Sequence, residues 1–352
     1  MKVVTVVGTR PEIIKLSRVM AALDKAVDHI VLHTGQNYDK ELNAIFFEQM
    51  NIRKPDYHIT SEGSIPTMMA GLQYWLPVLK PDAVLILGDT NSCFCTAYVA
   101  ARLHIPLVHL EAGNRCFNFD TPEELNRVII DHIPGLQLCY SERSRENLVN
   151  EGVPTQKVIK VGSPMNEVLD HYAADINSSQ VLSQLKLTPK EYFVVSCHRE
   201  ENTTPEKFQD FLKLLDGLTQ KYQHRIVLSA HPRLRKLMDQ KFWTNPLVEI
   251  YAPFGMFDYC KLQQNARCTL SDSGTISEES SILNFPALML RESHERPECD
   301  EEGGIIMTGF DCARVMESLD LSQQPICTPD AYCSLNVSEK VVKLVLSHTR
   351  RK

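Results

Sequence analysis

Apolar residues in this chain fall into short continuous runs separated by stretches in which they recur three and four apart. The runs at 3–8, 29–34, 83–87, 106–110, 137–140 and 158–161 read as buried strands. Helical spacing fills the intervals 11–23, 41–50, 67–80, 92–103, 122–133 and 141–151. A polar, helical stretch at 164–189 interrupts the pattern, which restarts at Tyr192. The second series predicts strands at 192–196, 225–229, 248–251, 268–271 and 287–290, with helices at 205–221, 234–241, 257–265 and 276–283. A last helix is predicted at 337–348.

Strands alternating with helices imply parallel sheets covered on both faces. The expected fold class is therefore α/β, with two Rossmann-like domains facing a central cleft. The expected boundaries are 1–165 and 166–335, with 336–352 packing back on the first domain. Open sheets of this kind bind ligands at the carboxyl ends of their strands. The residues just after each run are therefore the ones to weigh.

A length of 352 residues accommodates two such domains. The net charge of -7 argues against nucleic acid as the main partner, because a phosphate backbone needs a basic face. No apolar stretch approaches the roughly 20 residues of a membrane span. The chain enters its first strand at once, so no leader is expected and the reading is cytoplasmic. Its 11 cysteines are scattered and lack a C-x-x-C pair, which suits reduced, buried thiols rather than a metal site.

The strand ends carry the candidate chemistry. Gly8-Thr9-Arg10-Pro11-Glu12 opens the first helix, with Arg10 and Lys15 placed to meet a phosphate; a plain strand–helix corner is the competing reading. A dinucleotide fingerprint would need three glycines here, so no bound nicotinamide cofactor is expected. Asp89 follows the strand at 83–87. Glu111 and Arg115 flank Gly113 after the strand at 106–110, where a buried Glu111–Arg115 ion pair is the competing reading. Thr121 and Glu124 have the spacing of a capping box, which leaves Glu123 for other work. Thr275 and Glu278 repeat that spacing and leave Glu279. Asp272-Ser273-Gly274-Thr275 is a small-residue turn at a helix start, where unpaired N–H groups and the helix dipole favour an anion. His198 and Arg199 follow the strand at 192–196, and histidine is the natural proton carrier near neutral pH.

Seven motifs occur in order along nearly the whole chain. They are Gly8-Thr9-Arg10-Pro11-Glu12, Gly88-Asp89-Thr90, Glu111-Ala112-Gly113, Pro122-Glu123-Glu124-Leu125-Asn126-Arg127, His198-Arg199-Glu200, Asp272-Ser273-Gly274 and Glu295-Arg296-Pro297-Glu298. The series resembles the non-hydrolysing UDP-N-acetylglucosamine 2-epimerases. The resemblance implies a glycosyltransferase-B type fold, a UDP-sugar substrate, no cofactor, no metal and a homodimer. It implies an isomerase that eliminates UDP to a glycal and adds it back after inverting C2. Asp89, Glu111, Glu123 and His198 would carry or support proton transfer, with the base in each direction left open. Arg10, Ser273 and the Gly274 and Thr275 backbone would hold phosphates, Glu279 the ribose, and Tyr259 and the Phe254 backbone the uracil. Arg115, Arg199 and Arg296 would complete the substrate-binding set.

The segment Asn114-Arg115-Cys116-Phe117 departs from the common Leu-Arg-Thr form and resembles the branch acting on UDP-2-acetamido-2,6-dideoxy-L-hexoses. That branch implies interconversion of L-talosamine and L-fucosamine, or of L-quinovosamine and L-rhamnosamine, for surface glycans. The rival expectation is a UDP-GlcNAc/UDP-ManNAc 2-epimerase. Gln36 and Tyr38 are left open as a second nucleotide site.

Overall fold

A computed structural model describes residues 1–37, 44–133, 135–197, 199, 202, 204–230, 232–240, 243–321 and 327–349, without the side chains of 44, 232, 233, 239 and 240. The chain divides into two compact units. Unit 1 comprises Met1–Asp170 and Asp330–Lys352, and unit 2 comprises His171–Pro329.

Unit 1 is built on a parallel sheet of seven strands. In chain order they are β1 (Lys2–Val7), β2 (Asp28–His33), β3 (Tyr57–His58), β4 (Ala83–Leu87), β5 (Leu107–Leu110), β6 (Leu136–Cys139) and β7 (Val158–Lys160). The sheet order is β3-β2-β1-β4-β5-β6-β7. Its inner strands are rich in apolar residues because helices cover both faces; every residue of β4 is buried. The order reverses between β1 and β4, where Val3 pairs with Ala83 and Thr5 with Leu85. This is a topological switch point, and it places the turns after β1 and β4 side by side.

Unit 2 repeats the plan with six parallel strands, β8 (Tyr192–Cys197), β9 (Arg225–Ala230), β10 (Val248–Tyr251), β11 (Cys268–Ser271), β12 (Ala287–Met289) and β13 (Ile306–Met307). Their order is β10-β9-β8-β11-β12-β13. Here the reversal lies between β8 and β11, with Ser196 opposite Ser271. The core of this sheet on one face joins Phe193, Val195, Leu228 and Leu270 to Phe208, Phe211 and Leu215 of the helix Pro205–Tyr222.

Two strands escape the sequence pattern. β3 and β13 are each two residues long, too short to show any period. The helices Pro297–Glu301 and Cys312–Leu321 were also not expected. The final helix, Val337–His348, belongs to unit 1 and packs on the helix Arg10–Ala26. Val337, Val341 and Val345 are fully buried there.

Candidate functional site

Unit 1 gathers its candidate residues at the carboxyl ends of β1, β4 and β5 and on the helix Pro122–His132. Glu12, 1% exposed, ties the first two turns together. Its Oε2 accepts from Gly8 N at 2.7 Å, Thr9 N at 2.6 Å and Thr9 Oγ1 at 3.0 Å. Its Oε1 accepts from Thr90 Oγ1 at 2.6 Å and from the Cys93 thiol at 3.1 Å. Burial pushes the Glu12 carboxyl above its usual range, and the surrounding donors offset this only in part. One buried group thus fixes both the turn carrying Arg10 and the turn carrying Asp89. Sequence reasoning passed over it, although Thr9-x-x-Glu12 has capping-box spacing.

Asp89 is held by Arg127, whose Nε and Nη2 lie 2.8 Å and 2.7 Å from Asp89 Oδ2. Asn126 Nδ2 adds a hydrogen bond to the Asp89 carbonyl at 2.9 Å. The Asp89 side chain stays 24% exposed, so it is fixed yet reachable. Glu111 sits at the end of β5 with φ +72°, a left-handed conformation costly for a residue with a side chain. Lys15 Nζ is 2.9 Å from Glu111 Oε2, and the two side chains are 2% and 9% exposed. Lys15 also lies over the Tyr140 ring, 5.3 Å from its centre. Its charge is therefore engaged by a carboxylate. Arg10 is half-buried with its guanidinium 5.7 Å from the Phe46 ring centre. Glu123, also half-buried, stands in the first turn of its helix beside Glu124.

Some expectations need correction. Glu124 does not bond back to Thr121 as a capping box would require. It accepts from Cys116 N at 3.1 Å and Phe117 N at 2.8 Å, and pairs with Arg127 Nη1 at 2.6 Å. Burial pushes its carboxyl up, but the Cys116 amide and Arg127 outweigh this and hold it low. Nor does Thr275 cap with Glu278: it is already helical, at φ -77° and ψ -12°, and Glu278 turns inward. Arg115 is 3% exposed. Its Nη1 is 2.7 Å from Asp131, and its Nε and Nη2 are 2.9 Å and 2.6 Å from Glu151. Two carboxylates take its donors, so it braces the turn after β5, and no Glu111–Arg115 pair forms. Gln36 Oε1 accepts from Ser92 N and Ser92 Oγ, both at 2.8 Å, which ties the end of β2 to the helix Asn91–Arg102. Tyr38 lies outside the described residues.

Unit 2 arranges its candidates around the ends of β8, β11 and β12. Asp272 is fully buried and accepts from Arg199 N and Asn202 Nδ2, both at 3.0 Å. Arg199 Nε returns a bond to the Asp272 carbonyl at 3.2 Å. Arg199 and Asn202 are thereby moored at the end of β11. Ser273, Gly274 and Thr275 form the turn into the helix Ile276–Leu283. Thr275 Oγ1 donates to Glu279 Oε1 at 2.8 Å, and Gln263 Nε2 to Glu279 Oε2 at 2.8 Å. Both oxygens are thereby oriented. Tyr259 Oη donates to Ser196 Oγ at 3.0 Å, and Phe254 stacks obliquely on Tyr251 with ring centres 5.4 Å apart. Arg296, 3% exposed, lies 3.0 Å from the fully buried Glu278. Gly274 backs onto Glu295, where an added Cβ would come within 2.5 Å of a carboxylate oxygen. Glu295 cannot easily yield, being buried and paired with Arg291 at 2.8 Å.

His198 lies outside the described residues. Among the described residues no group of three His, Cys, Asp or Glu is placed to hold a metal ion, and no helix is long and apolar enough to cross a membrane.

Comparison with known proteins places this geometry. The profile of the family described as UDP-N-acetylglucosamine 2-epimerase matches residues 21–346. The structure of UDP-N-acetylglucosamine 2-epimerase from Rickettsia bellii is 43% identical, with TM-score 0.91 over 99% of this chain and 97% of that one. The Methanocaldococcus jannaschii UDP-GlcNAc 2-epimerase, solved with UDP-GlcNAc and UDP, is 30% identical with TM-score 0.91, covering 98% and 99%. The UDP-2,3-diacetamido-2,3-dideoxy-D-glucuronate 2-epimerase of Pseudomonas aeruginosa is 31% identical over 90% of this chain and 91% of its own.

Proposed function

The chain belongs to the UDP-N-acetylglucosamine 2-epimerase family and is a UDP-sugar 2-epimerase, and from that premise we propose that its substrate is a UDP-2-acetamido-2,6-dideoxy-L-hexose. The C2 proton of such a sugar is not acidic, because no carbonyl is attached to C2. Elimination solves this: a base takes the C2 proton as the C1–O bond to UDP breaks, leaving a glycal and free UDP. A proton then reaches C2 from the other face, and a terminal phosphate oxygen of UDP re-forms the bond to C1. No electron is gained or lost overall.

Such a route needs a base and an acid around the sugar and firm retention of the diphosphate. Unit 1 supplies Asp89, Glu111 and Glu123 for proton transfer, the first two held by Arg127 and Lys15. His198 joins them in this proposal. Unit 2 supplies the Ser273–Thr275 turn for phosphate, Glu279 for the ribose hydroxyls, Phe254 and Tyr259 for uracil, and Arg199 and Arg296 as cations. Arg10 in unit 1 serves the phosphates.

The observation that carries the choice of sugar is the segment after Glu111. Glu124 pins its backbone at Cys116 and Phe117, and two phenyl rings, Phe117 and Phe119, stand 73% and 66% exposed. Exposed aromatics on a loop moored through Glu124 to Arg127 suit a 6-methyl group better than a hydroxymethyl group. The second reading, UDP-GlcNAc/UDP-ManNAc, is favoured by the names of the relatives. The protein incubated in heavy water with each UDP sugar, with C2 deuteration followed by NMR, tests both. Deuteration of a 6-deoxy-L-sugar is expected. Exchange with UDP-GlcNAc alone would move the substrate to the second reading, and no exchange with any 2-acetamido sugar would remove the proposed reaction.

A further inference from the structure

His109 lies on β5 two residues before Glu111 and is 1% exposed. Its Nε2 is 2.9 Å from the Gly88 carbonyl. Its Nδ1 is 3.0 Å from Asp131 Oδ1 and 3.2 Å from Gln137 Oε1. Gln137 Nε2 donates to the carbonyls of Asp131 at 3.0 Å and Ile133 at 3.4 Å, so Oε1 is the end turned to the imidazole. Both ring nitrogens therefore face acceptors. A neutral imidazole would set a lone pair against one of them, whereas an imidazolium donates on both sides. Asp131 is the mirror case, with Oδ2 accepting from Gly113 N at 3.1 Å and Arg115 Nη1 at 2.7 Å. Burial alone would push His109 down and Asp131 up. Their pairing outweighs it, leaving His109 raised and Asp131 lowered.

This pair touches the backbone of the turns that carry Asp89 and Glu111. The Gly88 carbonyl belongs to the peptide bond of Asp89. The Gly113 N–H lies two residues beyond Glu111. Asp131 stands one turn past Arg127, the partner of Asp89, on the helix that begins beside Glu123. We propose that His109 is a positioning residue, an imidazolium that with Asp131 clamps the Gly88–Asp89 and Glu111–Gly113 turns in the geometry for C2 inversion. The proposal rests on the proposed function for the roles of Asp89, Glu111 and Glu123. His109 transfers no proton itself, since both its N–H groups are committed to the protein.

Protein labelled with nitrogen-15 histidine tests the protonation state without turnover. The His109 ring, assigned by its loss in His109→Gln or its shift in Asp131→Asn, is expected to show imidazolium shifts and two ring N–H protons between about pH 6 and pH 8. A neutral ring in that range overturns the proposal, whatever the activity. In folded His109→Gln and Asp131→Asn, kcat is expected to fall about 100-fold with KM changed less than about threefold. Asp131→Glu, which keeps the charge, is expected to recover part of the loss. Wild-type kcat in a folded His109→Gln protein also overturns it, because a purely structural role would move the melting temperature alone. Absence of C2 exchange in the unsubstituted enzyme is a separate outcome that removes the epimerase reading while the NMR result still decides the charge.

Discussion

At the scale of single residues, the recurring device is a buried or half-buried side chain that orients a carboxylate. Lys15 does so for Glu111, Arg127 for Asp89, and Gln263 with Thr275 for Glu279. Breaking such a pair leaves the other charge uncompensated, which is costly when both are buried. Gly274 shows the opposite economy, where the lack of a side chain is the requirement. Gly274→Ala would press a methyl group against Glu295, whose partner Arg291 holds it in place. Overpacking of this kind costs about 1–3 kcal/mol. UDP affinity, measured by calorimetry, is expected to weaken by about tenfold. An unchanged Kd would show that this turn does not hold the diphosphate.

At the scale of elements, strand ends and helix starts are stitched by side chains far apart in sequence. Glu12 links β1 to the turn after β4, and Glu124 links the helix Pro122–His132 to the segment 114–121. The Glu124 tether has a pH dependence. Its folded carboxyl is held below the ordinary value of 4.5 by the Cys116 amide and Arg127 against the effect of burial. The stability it contributes is therefore fully present above that value and is lost as pH falls through the lowered one. Urea unfolding across this acid range is expected to show a shallower pH slope for Glu124→Gln than for the wild type. The variant is also expected to be about 1–3 kcal/mol less stable at neutral pH. Equal slopes would mean that another carboxylate dominates the acid limb. The capping boxes read at Thr121 and Thr275 failed for a related reason: in each case the acidic residue meets a stronger partner, Arg127 or Arg296, that local spacing does not reveal.

At the scale of the whole molecule, unit 1 is completed by the last segment of the chain. Val341 is fully buried where the helix Val337–His348 meets the helix Arg10–Ala26, which carries Glu12 and Lys15. Val341→Asp would bury a charge among apolar neighbours and is expected to lower the melting temperature by about 5 °C or more, measured by circular dichroism. An unchanged melt would show that the final helix is not integral to unit 1. The amino-acid sequence by itself determined the alternation of strands and helices, the position of the carboxylates and the small-residue Ser273–Thr275 turn at strand ends, and the family. Those features are local, since apolar periodicity and turn chemistry act over a few residues. The tertiary structure alone decided which charges meet. Arg115 meets Asp131 and Glu151, Lys15 meets Glu111, and His109 meets Gly88 and Asp131. These partners lie 16 to 96 residues apart, and only the sheet order, reversing between β1 and β4, brings the turns that carry them together.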